Sequence, residues 1–120
     1  MVESEIPLLK SNSVTIIAND LNTYKELLAI QVDPNRTLYI RAIRVEFNDT
    51  TSLPQFKLRV NGTEYLKDIP VFSGVATIGF GGDLRGSDTK DPIKIWVKKT
   101  AAGTGAIIVT CVVTGIQVQR

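Results

Sequence analysis

Ile93-Lys94-Ile95-Trp96-Val97-Lys98-Lys99 and Ala106-Ile107-Ile108-Val109-Thr110-Cys111-Val112-Val113-Thr114-Gly115-Ile116-Gln117-Val118 decide the fold class of this chain. The first alternates apolar and polar residues, the pattern of a strand with one wet face. The second is rich in β-branched residues, which are stiff at χ1 and suit a pleated surface. Ala101-Ala102-Gly103-Thr104-Gly105 separates them, and two such runs joined by a short glycine-containing loop predict an antiparallel hairpin.

The same signal recurs upstream. Val, Ile and Thr make up 37 of the 120 residues, so composition favours strands before any pattern is considered. Val14–Ala18 reads as a first strand and Asn19–Asn22 as a turn. Thr23-Tyr24-Lys25-Glu26 matches a helix capping box. Leu28, Ile30 and Val32 nevertheless alternate with Ala29 and Gln31, and Pro34 would end a helix after too few residues for stability, so a strand is expected. Leu38 and Ile40 share one parity, whereas Ile43, Val45 and Phe47 share the other. A switch of parity within one strand needs an extra residue, which places a bulge or bend near Arg41-Ala42. Phe56, Leu58 and Val60 alternate cleanly, and Asn61-Gly62 is the strongest hairpin signal in the chain, because both residues tolerate positive φ. Residues 81–92 read as a loop of about a dozen residues, a length that in compact domains is usually functional or disordered. After Gly115 the apolar parity changes again, which predicts a kink or close approach there.

Roughly eight short strands with frequent turn signals and no convincing helix indicate an all-β protein. The expected form is a single-domain antiparallel β-sandwich, jelly-roll-like. Residues 1–12, interrupted by Pro7, read as an N-terminal arm ahead of a sandwich domain spanning 13–120. A chain of 120 residues with 43% hydrophobic and 22% charged residues can support one core.

The chemistry available is sparse. Histidine is absent, which removes the commonest general base and metal ligand. The single cysteine, Cys111, can form no intramolecular disulfide and reads as a small buried hydrophobe. No zinc spacing or phosphate loop occurs. Asp83, Asp88 and Asp91 do not match a calcium loop and lie in polar surroundings, as do Glu64 and Asp68, where pKa splitting for acid–base work is not expected. The expectation is a non-enzyme with no cofactor. A net charge of +2 is too small for a nucleic-acid partner, and Lys94, Lys98 and Lys99 read as the solvated side of a strand. No apolar segment approaches the roughly 18 residues of a membrane span, and Met1–Glu5 is acidic without a following leader-like run, so no membrane partner and no export are expected. Asn35, Asn48 and Asn61 open Asn-x-Ser/Thr matches, each in a turn where Asn is expected anyway.

Leu38 to Phe47 running into Phe56-Lys57-Leu58-Arg59-Val60-Asn61-Gly62, together with Asp91-Pro92-Ile93 to Val118, resembles the small β-sandwich or jelly-roll structural proteins of viruses: capsid, decoration (cement) and spike-base proteins. The resemblance implies a virion protein assembled in host cytoplasm. It would be a homo-oligomer, a trimer or pentamer, meeting other capsid proteins through symmetric interfaces. The last run is apolar on both parities, so its Ile108, Val112 and Thr114 face is a candidate for cover by a partner. The N-terminal arm over 1–12, Leu84 and Arg85 in the 81–92 segment, and Trp96 on a wet face complete the candidate interface. The competing reading is a carbohydrate-binding or adhesion module, with Trp96, Tyr65 and Tyr39 as stacking platforms.

Overall fold

The structure is a computed structural model that describes residues 5–17, 21–49, 51–71, 74–101 and 106–119, with only the backbone described at 81–83. Eight strands follow one another: β1 (Glu5–Ile16), β2 (Lys25–Ile30), β3 (Arg36–Phe47), β4 (Pro54–Val60), β5 (Thr63–Pro70), β6 (Val75–Ser87), β7 (Ile93–Lys99) and β8 (Ile107–Gln119). They form two four-stranded antiparallel sheets, in the order β1-β8-β3-β6 (sheet I) and β2-β7-β4-β5 (sheet II). First pairs with last, second with seventh, third with sixth and fourth with fifth. That is the order obtained when one long antiparallel ribbon, closed by the β4–β5 turn, is folded over on itself.

The inner faces pack Leu38, Ile40, Val45, Ile107, Val109 and Val113 of sheet I against Leu27, Phe56, Leu58, Ile93, Ile95 and Val97 of sheet II. Burial of each such side chain is worth roughly 1.5–3 kcal/mol. The molecule is elongated, 55 × 22 × 19 Å, as strands of twelve or thirteen residues require.

The Lys25–Ile30 segment is a strand, and the capping-box match in front of it starts no helix. Asn61 and Gly62 form the expected tight turn, with φ of 55° and 81°. The bulge expected at Arg41-Ala42 is present: Ile40 pairs with Gly115 and Ala42 with Thr114, which leaves Arg41 as the extra residue. This residue moves β3's inward set from Leu38 and Ile40 to Ile43, Val45 and Phe47, all of them buried.

Five expectations are corrected. The terminal hairpin does not form, because β7 belongs to sheet II and β8 to sheet I. The segment between them crosses from one sheet to the other, and its residues 102–105 lie outside those described. A connection of this length closes a hairpin or an arch equally well, and both strands alternate identically in either case. The arm expected over 1–12 is, from Glu5 onward, the first part of β1, held to β8 along its whole length. The expected loop over 81–92 is strand as far as Ser87, and only 88–92 connect β6 to β7. No parity switch occurs at Gly115: β8 alternates without a break, and the inward position after it belongs to the buried Gln117. That amide is satisfied by Asp33, whose backbone N–H donates to Oε1 at 3.0 Å and whose carboxylate accepts from Nε2 at 3.2 Å. Finally, Lys99 is not on the solvated face. It shares the parity of Ile93, Ile95 and Val97 and is buried with them.

Candidate interaction faces

The register fixes what each sheet shows to the outside. Across sheet I, in the order β1-β8-β3-β6, the outward rows read Glu5-Val118-Thr37-Ser87, Pro7-Ile116-Tyr39-Arg85, Leu9-Thr114-Ala42-Gly79, Ser11-Val112-Arg44-Thr77 and Ser13-Thr110-Glu46-Val75, followed by Thr15 beside Ile108. The β1–β8 half carries one charged residue, Glu5, at its corner. Elsewhere in that half are hydroxyls and apolar groups, including Leu9 at 70% and Ile108 at 51% exposure. The charges sit on β3 and β6, where Arg44 pairs with Glu46 at 3.3 Å and the Arg85 guanidinium lies 5.3 Å from the Tyr39 ring centroid.

Sheet II presents the opposite chemistry. Lys57 Nζ lies 4.6 Å from the Tyr24 ring and 4.7 Å from the Trp96 ring. Arg59 stands 5.2 Å and Lys94 5.9 Å from Trp96, and Lys98 lies 4.5 Å from Tyr24. The three lysines also meet acids: Lys57 with Glu64 at 3.4 Å, Lys94 with Glu26 at 3.3 Å and Lys98 with Asp68 at 3.1 Å. Cations over aromatic faces and beside carboxylates satisfy one another within the face. Tyr24 donates its hydroxyl proton to Asp68 and accepts from the Asp68 backbone N–H at 3.1 Å. Burial, then the bond to Asp68, pushes the Tyr24 phenol above its ordinary value; the bond from Tyr24, then Lys98, holds the Asp68 carboxyl below its own.

The six sequence candidates therefore separate. Ile108, Val112 and Thr114 lie on the outer face of sheet I, and Arg85 lies on the same face one strand beyond β3. Leu84 does not face out. It is 7% exposed, opposite Ile40 in the core, because β6 is a strand there and its parity alternates with that of Arg85. Trp96 lies on the far side of the sandwich, on sheet II. Tyr39, Tyr65 and Trp96 form no common platform: Tyr39 is on sheet I, Tyr65 on the edge strand β5, and Trp96 under Lys57 and Arg59.

The Tyr24, Lys57, Arg59 and Asp68 members of the sheet II lattice had no individual sequence signal. The alternation of β4 marks Lys57 and Arg59 as outward, but only the β4–β7 pairing brings them to Trp96. Burial pushes the Cys111 thiol up to about 12, which keeps it protonated and inert. Among the described residues no group of three or more acidic, histidine or cysteine side chains is placed to hold a metal ion.

No protein family matches the chain, and no curated protein matches it significantly. Solved structures with a similar fold do exist. One is a chain of the Cyanophage Pam1 capsid asymmetric unit, similar over 97% of this chain and 88% of that one, with a TM-score of 0.59 at 17% sequence identity. At that identity the likeness is one of fold: an all-β sandwich of the kind found in a viral structural protein.

Proposed function

We propose that this chain is a non-enzymatic structural subunit of a virion, a capsid or capsid-decorating protein. On this reading it is assembled in host cytoplasm as a homo-oligomer that also contacts other capsid proteins. The observation that carries the reading is the likeness over nearly the whole length to a chain of a cyanophage capsid. The strand order, first paired with last and second with seventh, supports a jelly-roll reading, a fold that recurs in viral capsids. The β1–β8 half of sheet I, whose one charge is Glu5 at the corner, supplies a surface suited to burial in an assembly, with Val112 and Thr114 in its middle rows and Ile108 at its end. The charged lattice of sheet II suits the face left in water. The carbohydrate alternative is weakened by the placement of Trp96, because cations already lie over its ring.

The test is co-sedimentation of the purified protein with capsid shells of the virus that encodes it. Saturable, stoichiometric co-sedimentation that Val112→Lys abolishes supports the reading. A protein that stays at the top of the gradient and keeps a monomeric mass at every concentration overturns it.

A further inference from the structure

Three of the four edge strands carry devices that block the addition of another strand. β2 is only six residues long and includes Lys25 and Glu26. β5 is broken from the β4 register twice, carries Glu64, Lys67 and Asp68, and ends in Pro70. β6 leaves the β3 register opposite Arg41.

β1 differs. It pairs with β8 over twelve consecutive residues without a break. Sheet II reaches only its second half, where Asn12 Nδ2 donates to the Leu27 carbonyl at 2.7 Å and Lys25 Nζ donates to the Thr15 carbonyl at 3.0 Å. Among the described strands none lies on the far side of β1. Pro7 removes a single donor. Leu9, 70% exposed, and Ile6, 41% exposed, stand on opposite faces of this free stretch. A long straight edge with main-chain groups pointing outward and apolar side chains beside them is recognised by an extended strand.

We propose that the strand is β1 of a second copy of this chain, paired antiparallel across a two-fold axis at Leu8, so that two four-stranded sheets become one of eight. In this register Leu8 faces the partner's Leu8, Pro7 faces the partner's Leu9, and Ile6 faces the partner's Lys10. Glu5 and Lys10, which flank the apolar tetrad, each meet an uncharged residue. Registers centred on Glu5 or on Lys10 would instead oppose like charges. The two-fold repeats the Pro7–Leu9 contact and continues the outer face of sheet I across the seam, with Glu5 its one charge from each copy. The inference rests on this edge and shares only self-association with the virion reading: a dimer that binds no shell leaves it standing, and shell binding by an oligomer indifferent to Leu9→Lys does not support it.

The experiment is oxidative cross-linking of Leu8→Cys, with Leu9→Cys as neighbour, read beside the oligomeric mass of the unmodified protein. Directly opposed Cα atoms in an antiparallel pair are about 4.5–5.5 Å apart, within reach of a disulfide; residues offset by two are about 7–8 Å apart. Leu8, 8% exposed, lies on the edge strand itself, whereas Cys111 is fully buried on the inner strand β8; Leu8→Cys is therefore expected to give a covalent dimer, Leu9→Cys none, and Cys111 to stay silent. Leu9→Lys, at an exposed position that leaves folding intact, removes two symmetric contacts and is expected to weaken the dimer about ten-fold. Amide exchange within Ile6–Ser11 should slow as concentration rises. A monomer at all concentrations overturns the proposal. So do a cross-link at 9 in place of 8, an oligomer whose mass is indifferent to Leu9→Lys, and a monomer that captures an unrelated extended peptide on β1.

Discussion

The carbonyl oxygen of Tyr39 occupies the space where a side chain at Gly115 would begin. The cause is the extra residue in β3. Arg41 bulges out between Ile40, opposite Gly115, and Ala42, opposite Thr114, and the β3 backbone is pressed against β8 at that point. A Cβ at 115 would also lie 3.2 Å from Leu38 Cδ1 and 3.3 Å from Ile40 Cα, so the β3 backbone at Tyr39–Ile40 would have to move. Gly115→Ala is expected to cost about 1–3 kcal/mol in equilibrium urea unfolding. Gly79→Ala is the control: it lies on the same sheet with nothing within 4 Å of its added Cβ. It should be neutral or stabilising by about 0.5 kcal/mol.

The turn at Asn61-Gly62 does more than reverse the chain. Asn61 Nδ2 donates to the Arg85 carbonyl at 3.1 Å, and its Oδ1 accepts from the Ser87 backbone N–H at 3.0 Å, so a turn of sheet II is fastened to the last residues of β6 in sheet I. Asn61→Ala removes both bonds and leaves a part-buried N–H without its acceptor, an expected loss of about 1–3 kcal/mol. Asn61→Asp keeps the acceptor and should lose less. Gly62→Ala places a side chain at φ 81°, expected to cost about 1–2 kcal/mol. Thermal unfolding of the three variants gives the order.

These two sites also mark how far the sequence alone could reach. The cleanly alternating strands β4, β7 and β8, the Asn61-Gly62 turn and the Arg41 bulge are legible because each is local: alternation, positive φ and a parity switch are written in consecutive residues, whereas the first part of β1 and the end of β6 lack that alternation. Which sheet a strand joins is not local. β7 and β8 show the same alternation whether they pair with each other or cross between sheets, so the pattern alone predicts a hairpin where the chain instead changes sheet. Gln117 looked like a change of parity because one inward amide resembles an outward one until Asp33, distant in sequence, is seen to satisfy it. For the same reason Ile108, Val112 and Thr114 were found as an outward face. Leu9 and Ser11 belong to the arm over 1–12 that the sequence also offers as a contact region, but only the register shows that they continue this face.

Lys57 is the centre of the sheet II lattice, with its ammonium between the rings of Tyr24 and Trp96 and beside Glu64. Lys57→Met preserves the aliphatic stem and removes the charge. The expected loss is about 1 kcal/mol in low salt, shrinking as salt is added, because the missing terms are electrostatic and near the surface. Trp96, the single tryptophan, reports the change directly: its emission should shift in Lys57→Met while the far-ultraviolet dichroism stays constant. An unchanged emission would mean that the ammonium does not rest on the indole.

The Tyr24–Asp68 bond makes stability depend on pH at both ends of the scale. Asp68 has its folded value depressed, first by the bond from Tyr24 and then by Lys98. Its contribution is therefore present above the ordinary carboxylate value and is lost as pH falls below about 4. Tyr24 has its folded value raised, first by burial and then by the bond to Asp68. The neutral phenol is favoured in the folded state, so this contribution is present below about pH 10 and is lost as the unfolded chain ionises above it. Tyr24→Phe removes the alkaline loss entirely and weakens the acid one, because Lys98 remains beside Asp68 at 3.1 Å. Asp68→Asn removes the acid loss and reduces the alkaline one, because burial of the phenol remains. Urea midpoints from pH 3 to pH 11 for the wild type and both variants separate the two limbs. Parallel curves for all three proteins would show that the pair does not couple folding to proton binding.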